Sequence, residues 1–209
     1  MKKKMFFTGL VLLLFFMANR VFMLSLFPIF LMIASTDVLQ KINKKLPGSL
    51  MFKVGFWGMW SGILTEVLAI LNNQNLPDAQ KALFHADPAI NIFIGLGYYI
   101  PLALAWYFLF KKYDYKVKDV FLISGFSGFL LEQHGAVFFS FNPALWVYAF
   151  FVHASIIAIP FVILKDELTA YDKQKSGFKK YFLGFVIPAL VASLSVWLWM
   201  SIFGFQANS

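Results

Sequence analysis

Three glutamates occur in the chain, and two of them close the same phrase: "SGILTE" ends at Glu66 and "SGFLLE" ends at Glu132. Each phrase lies inside an apolar run. If such a run crosses a bilayer, a carboxylate within it is costly unless it is paired, protonated or wetted. The chemistry open to it is proton or cation binding, metal ligation, or general acid–base work. Few other residues have the right type and place. His153 stands in the middle of an apolar run, His134 follows Glu132 by two residues, and Asn73 lies on the helical face of Glu66. These five form the candidate ion- or substrate-binding set. His85, Asp87 and Asn142 stand where apolar runs begin and would line an external mouth, while Tyr98 and Tyr99 could bring a phenol to the site.

The elements that must position these residues follow from composition. Hydrophobic residues make up 60% of the chain, charged residues 13%, and phenylalanine fills 27 positions. A soluble domain carries about a quarter of its residues charged, so this composition leaves water-exposed surface uncovered. The apolar runs reach the ~20 residues that cross a bilayer as helix, and they lack the alternation of a transmembrane barrel. The expected class is an all-α polytopic integral membrane protein, with the lipid bilayer as its surroundings and the cell membrane, a bacterial inner membrane, as its place. The absence of cysteine removes thiolate chemistry and disulfides. The net charge of +8 comes from lysines clustered between the runs, where positive charge sets orientation rather than recognising nucleic acid.

The clearest spans are 50–72, 89–110, 120–141, 144–164 and 182–205. The lysine-rich connections "KKYDYKVKD" and "KDELTAYDKQKSGFKKY" read as cytoplasmic, and "NQNLPDAQKALFHADP" and "FNP" as external. Residues 5–39 read as a hydrophobic hairpin, 5–19 and 21–39, turning at Arg20. This gives seven helices, with a cytoplasmic N-terminus and an external C-terminus, or six if the first segment is cleaved or peripheral. Sixteen of the eighteen basic residues then lie on the inner side. Trp106, Tyr107, Trp146, Trp197 and Trp199 read as interfacial anchors. Asp114, Asp119, Asp166, Glu167 and Asp172 read as loop residues balancing lysines.

With the spans placed, the repeated phrase extends into a tandem hairpin repeat, 50–112 and 116–165, followed by a last helix at 182–205. "DPAI" (87–90) and "NPAL" (142–145) open the two returning helices, with Asp87 or Asn142 as N-cap and proline in the first turn. Each returning helix later carries an Ile-Pro pair. Both copies start from the same side, as in parallel-repeat transporters. Gly55, Gly58, Gly62, Glu66, Ala69 and Asn73 form one stripe, and Ser124, Gly128, Glu132 and Gly135 form another. Small residues at such spacings let membrane helices approach closely, so the glutamates are expected to face protein.

Three functions fit these residues. The first is a small transporter or permease with a proton- or cation-binding glutamate pair in the outer half of the membrane. The second is a membrane-embedded, metal-dependent hydrolase with a divalent cation on Glu66, Glu132 and His153, although His-Glu-X-X-His and Glu-Glu motifs are absent. The third is an accessory subunit, held in a homo-oligomer or against a partner and without activity of its own. Substrate identity is not encoded in any motif.

Overall fold

The computed structural model describes residues 24–74, 83–131, 135–169 and 177–204, and the described residues are helical with no strand. A 3₁₀ turn at Leu24–Leu26 leads into α1 (Phe27–Ala34) and α2 (Asp37–Lys45). Then come α3 (Leu50–Asn73), α4 (Pro88–Lys112), α5 (Val117–Leu131) and the short α6 (Ala136–Phe139). The order closes with α7 (Pro143–Ile163), the single turn α8 (Lys165–Leu168) and α9 (Lys179–Phe203). Four of these, α3, α4, α7 and α9, are long and apolar enough to cross a membrane.

Their ends are set by local chemistry. Ser49 accepts the Phe52 amide at the start of α3. Asp87 caps α4 by accepting the Ala89 and Ile90 amides at 2.8 and 3.0 Å. Asn142 caps α7 through the Ala144 amide at 3.0 Å, and both helices carry proline in the first turn. Gly204, at φ +67°, closes α9 in the left-handed conformation that glycine adopts without steric cost.

Two expected helices are not formed as expected. The span 21–39 is broken after Ala34. Ser35 and Thr36 turn their hydroxyls back onto the Met32 and Ile33 carbonyls, both at 2.6 Å. Such bonds compete with the helical ladder. Thr36 is extended, and Asp37 opens a new helix. The described helix α1 has 8 residues and follows directly on the 3₁₀ turn; residues 21–23 lie outside the described residues. The other expected segment of this hairpin, 5–19, lies outside the described residues.

The span 120–141 is likewise not one helix. It starts earlier, at Val117, and the described part of α5 runs to Leu131. Gly135 at φ +88° then turns the chain into the four-residue α6. Trp146 donates its indole N–H to the Val137 and Phe138 carbonyls and so ties this turn to α7.

The helices close into a ring: α3 packs on α4, α4 on α9, α9 on α5, α5 on α7, and α7 again on α3, with α1 laid along α7. In the α3–α4 pair, Gly58 meets Ala103, Gly62 meets Tyr99, and Glu66 meets Gly95. The partners step in opposite directions, so the two helices run antiparallel. Asn91, Gly95, Tyr99 and Ala103, each four residues from the last, thus form one face against the α3 stripe.

The aromatic expectation also changes. Trp106 and Tyr107 are buried, Trp106 with only 1% of its surface exposed. Trp106 meets Tyr115 and Phe161 edge-on, and Phe110 stacks on Phe161 at 5.2 Å. This cluster sits where α4, α7 and the α4–α5 connection meet. Trp197 is exposed on α9. Proximity to a helix end does not separate an anchor from a core residue, because neighbouring helices can cover the end as well as the middle.

Candidate functional site

Glu66 is carried on the fifth turn of α3 and has 4% of its surface exposed. A side chain on Gly95 would collide with it: a Cβ there would stand 2.5 Å from Glu66 Cγ and 2.9 Å from its carboxyl carbon. The glycine of α4 therefore makes the space in which the carboxylate lies. Asn91, one turn earlier on α4 and fully buried, donates its amide to Glu66 Oε2 at 2.5 Å. No cationic side chain among the described residues forms an ion pair with Glu66.

Asn91 also reaches the connection before α4. Its Oδ1 accepts the His85 backbone amide at 3.2 Å, and His85 Nδ1 accepts the Asp87 amide at 3.0 Å. With Nδ1 accepting, a neutral His85 carries its proton on Nε2. A continuous chain thus runs from the exposed cap residue Asp87, through His85 and Asn91, to the buried carboxylate. His85 and Asp87 were expected at the mouth of the site, and they shape the turn that fixes Asn91. Asn91 itself escaped the sequence reading. Its signal was present: an amide one turn into an apolar helix, four residues before a glycine.

The other expected residues are placed as follows. Asn73 is buried on the Glu66 face, and its amide donates to the Ala69 carbonyl at 2.7 Å. His153 is partly buried on α7 with its ring directly against the Gly128 backbone of α5, again where a Cβ would not fit. Asn142 is exposed and acts as a cap. Tyr99 lies over Gly62 and meets Tyr98 edge-on at 4.9 Å. Glu132 and His134 lie outside the described residues, so the geometry fixes one glutamate of the pair. Among the described residues no three His, Asp or Glu side chains form a metal-binding group.

Between Glu66 and the lysine-rich end lies a contact that sequence spacing did not foreshadow. Pro160 has no amide proton, so the Ile156 carbonyl one turn earlier loses its helical donor. Ser61, the serine of "SGILTE", donates to that carbonyl across the α3–α7 interface at 2.8 Å. A crevice lined by Gly58, Ser61, Tyr99, Ala103, Ile156, Ile157 and Pro160 opens beside it, with room for about one water. By contrast, Ser127, at the matching place in the second phrase, donates to the Ile123 carbonyl of its own helix.

The lysine-rich end holds two further networks. Asp119, with 2% of its surface exposed, pairs with Lys180 at 3.0 Å and accepts the Lys116 amide at 2.9 Å. Lys180 also donates to the Asp114 carbonyl, and Tyr115 donates its phenol to the Lys180 carbonyl. Burial raises the Tyr115 phenol above its ordinary range, with negative charge at Tyr113 and Asp119 adding to the effect. In the second network Glu167 pairs with Lys53 at 3.1 Å and accepts the Asn43 amide, while Asn43 accepts the Trp57 indole N–H at 3.0 Å. Asp119 and Glu167, expected as loop residues balancing lysines, do meet lysines, but as structural ties between α5 and α9 and between α2, α3 and α8. Comparison with known proteins gives no bearing on function: no family model, no curated protein and no solved structure matches this chain.

Proposed function

We propose that this chain is a small multi-pass transporter or permease of the cell membrane in which Glu66 binds a proton or cation during transport. The observation that carries the reading is the environment of Glu66. A helix long and apolar enough to cross a membrane holds a buried carboxylate whose partner is the neutral amide of Asn91, rather than a cation. An ionisable group at that depth that structure does not neutralise is available to bind and release charge. The tandem hairpins, 50–112 and 116–165, would supply the two moving halves, with Glu132 as the second carboxylate and His153 as a further candidate ligand. Ser61 and Pro160, where the two hairpins touch, would form the pivot.

The test is flux through the purified full-length chain in proteoliposomes loaded with a pH-sensitive dye, under proton, Na⁺, K⁺ and Mg²⁺ gradients in turn. Ion-driven flux lost in Glu66→Gln, with folding and monodispersity retained, supports the reading. Wild-type flux in Glu66→Gln overturns it. Stoichiometric zinc bound by the wild-type chain and lost from Glu66→Gln moves the assignment to the metal-dependent hydrolase. Failure of Glu66→Gln to assemble, with no flux in the wild type under any gradient, moves it to the accessory subunit.

A further inference from the structure

The short helix α2, which begins within the last three residues of the expected span 21–39 and fills the connection after it, has three distinct faces. Leu39 and Asn43 turn inward, with Asn43 held by Glu167 and Trp57 and Leu39 packed on the core. Lys41, Lys44 and Lys45 are exposed along a second face. Between these faces Val38 and Ile42, one helical turn apart, are 63% and 50% exposed. Met51 and Phe52, at the start of α3, add exposed apolar surface at the same end of the bundle.

We infer that α2 is an interfacial anchor, lying along the bilayer surface with Val38 and Ile42 among the acyl chains and its lysines on anionic phospholipid headgroups. The partner's chemistry follows from charge and place. The Asn43–Glu167 bond fixes α2 to the end of the bundle where Lys111, Lys112, Lys116, Lys118 and Lys165 are also exposed. A helix with apolar and basic faces side by side and low net hydrophobicity lies in the plane of the interface. Each lysine held near an anionic surface adds its own attraction to it. The inference depends on membrane embedding and not on transport, so the two can fail separately.

The chain has no cysteine, so a single Ile42→Cys substitution carrying an environment-sensitive fluorophore reports on α2 alone. The full-length labelled protein is placed in phosphatidylcholine vesicles with and without phosphatidylglycerol. Quenching by brominated acyl chains and shielding from aqueous iodide are expected in both. Phosphatidylglycerol should increase the shielding, and high salt should reverse that increase. In Lys41→Gln/Lys44→Gln/Lys45→Gln the preference for phosphatidylglycerol should fall by at least about fivefold, the effect of one lysine near an anionic surface. Lys44→Glu, at one exposed position, gives the same direction should the triple variant misfold. Iodide quenching equal to that of free dye in both vesicles overturns the inference, as does a phosphatidylglycerol effect that survives the lysine changes. Cross-linking of the unlabelled Ile42→Cys protein through its single thiol, between copies in dilute vesicles, assigns the face to a second copy and overturns it too.

Discussion

Asp119 and Glu66 are both buried carboxylates, and the fold treats them in opposite ways. Asp119 sits at the first turn of α5, among lysines and tyrosines of the connecting segments. It receives a cation from Lys180, an amide from Lys116, and the Tyr181 hydroxyl at 3.4 Å. Its charge is answered by charge, and the result joins α5 to α9. Glu66 lies deep in α3, where the apolar run supplies no lysine, and α4 offers a neutral amide and a glycine-sized hollow. A carboxylate whose only job was to join helices would be served better by the first arrangement. On the proposed reading, the second leaves the group able to change its charge state or its partner. That difference is the reason to look for function at Glu66 and for stability at Asp119.

The comparison can be broken in order of effect. Glu66→Gln keeps the shape of the side chain and its bond from Asn91, so the thermal midpoint in detergent should hold while ion-driven flux falls to background. A large loss of stability instead would make Glu66 a second structural tie. Asp119→Leu leaves Lys180 with 15% exposure and no counter-charge. Breaking a buried pair in this way costs about 3 kcal/mol, read as a clear drop in thermal midpoint without a change in ion dependence. Gly95→Val places a side chain where Glu66 lies. Overpacking of this kind costs about 1–3 kcal/mol, and flux should fall with it, which separates Gly95 from glycines that only pack.

Smaller effects sharpen the same contrast. Ser61→Ala strips the donor from the Ile156 carbonyl and should cost about 1 kcal/mol, seen as a modest midpoint shift. If flux slows more than stability predicts, the α3–α7 contact belongs to the moving part. Glu167→Gln weakens the pair with Lys53, where the Glu167 side chain is 34% exposed. Water screens such a pair, and the expected loss is about 0.5 kcal/mol or less, near the limit of a denaturation experiment. A loss as large as that of Asp119→Leu would show that position in the fold, and not exposure, sets the strength of these ties.

Much of this was legible in the residues. The four long helices could be read from apolar run length, and the starts of two of them from "DPAI" and "NPAL". The glycine stripe placed Glu66 toward protein, where it lies. Breaks within apolar sequence were harder to see. "IASTD" ends α1 and opens α2 because two hydroxyls prefer nearby carbonyls, and Gly135 turns the chain into α6 through its backbone angle. Hydropathy registers neither effect. The partners of the buried polar groups were also hidden. Asn91 finds Glu66 across 25 residues, Asn43 finds Glu167 across 124, and Ser61 finds, across 95, a carbonyl freed by a proline.

The sequence by itself determined the four long helices apolar enough to cross a membrane and the places where charge would be expensive. These depend on run length, on hydrogen bonds made within one segment, and on the transfer cost of single side chains. Only the tertiary structure decided which costly groups meet a cation and which meet a neutral amide. That choice depends on which helix faces which, at what register, and on whether the facing residue is a lysine, an amide or a glycine. The register of α3 on α4 brings Gly95 and Asn91 to Glu66, and a shift of one turn would bring a different pair.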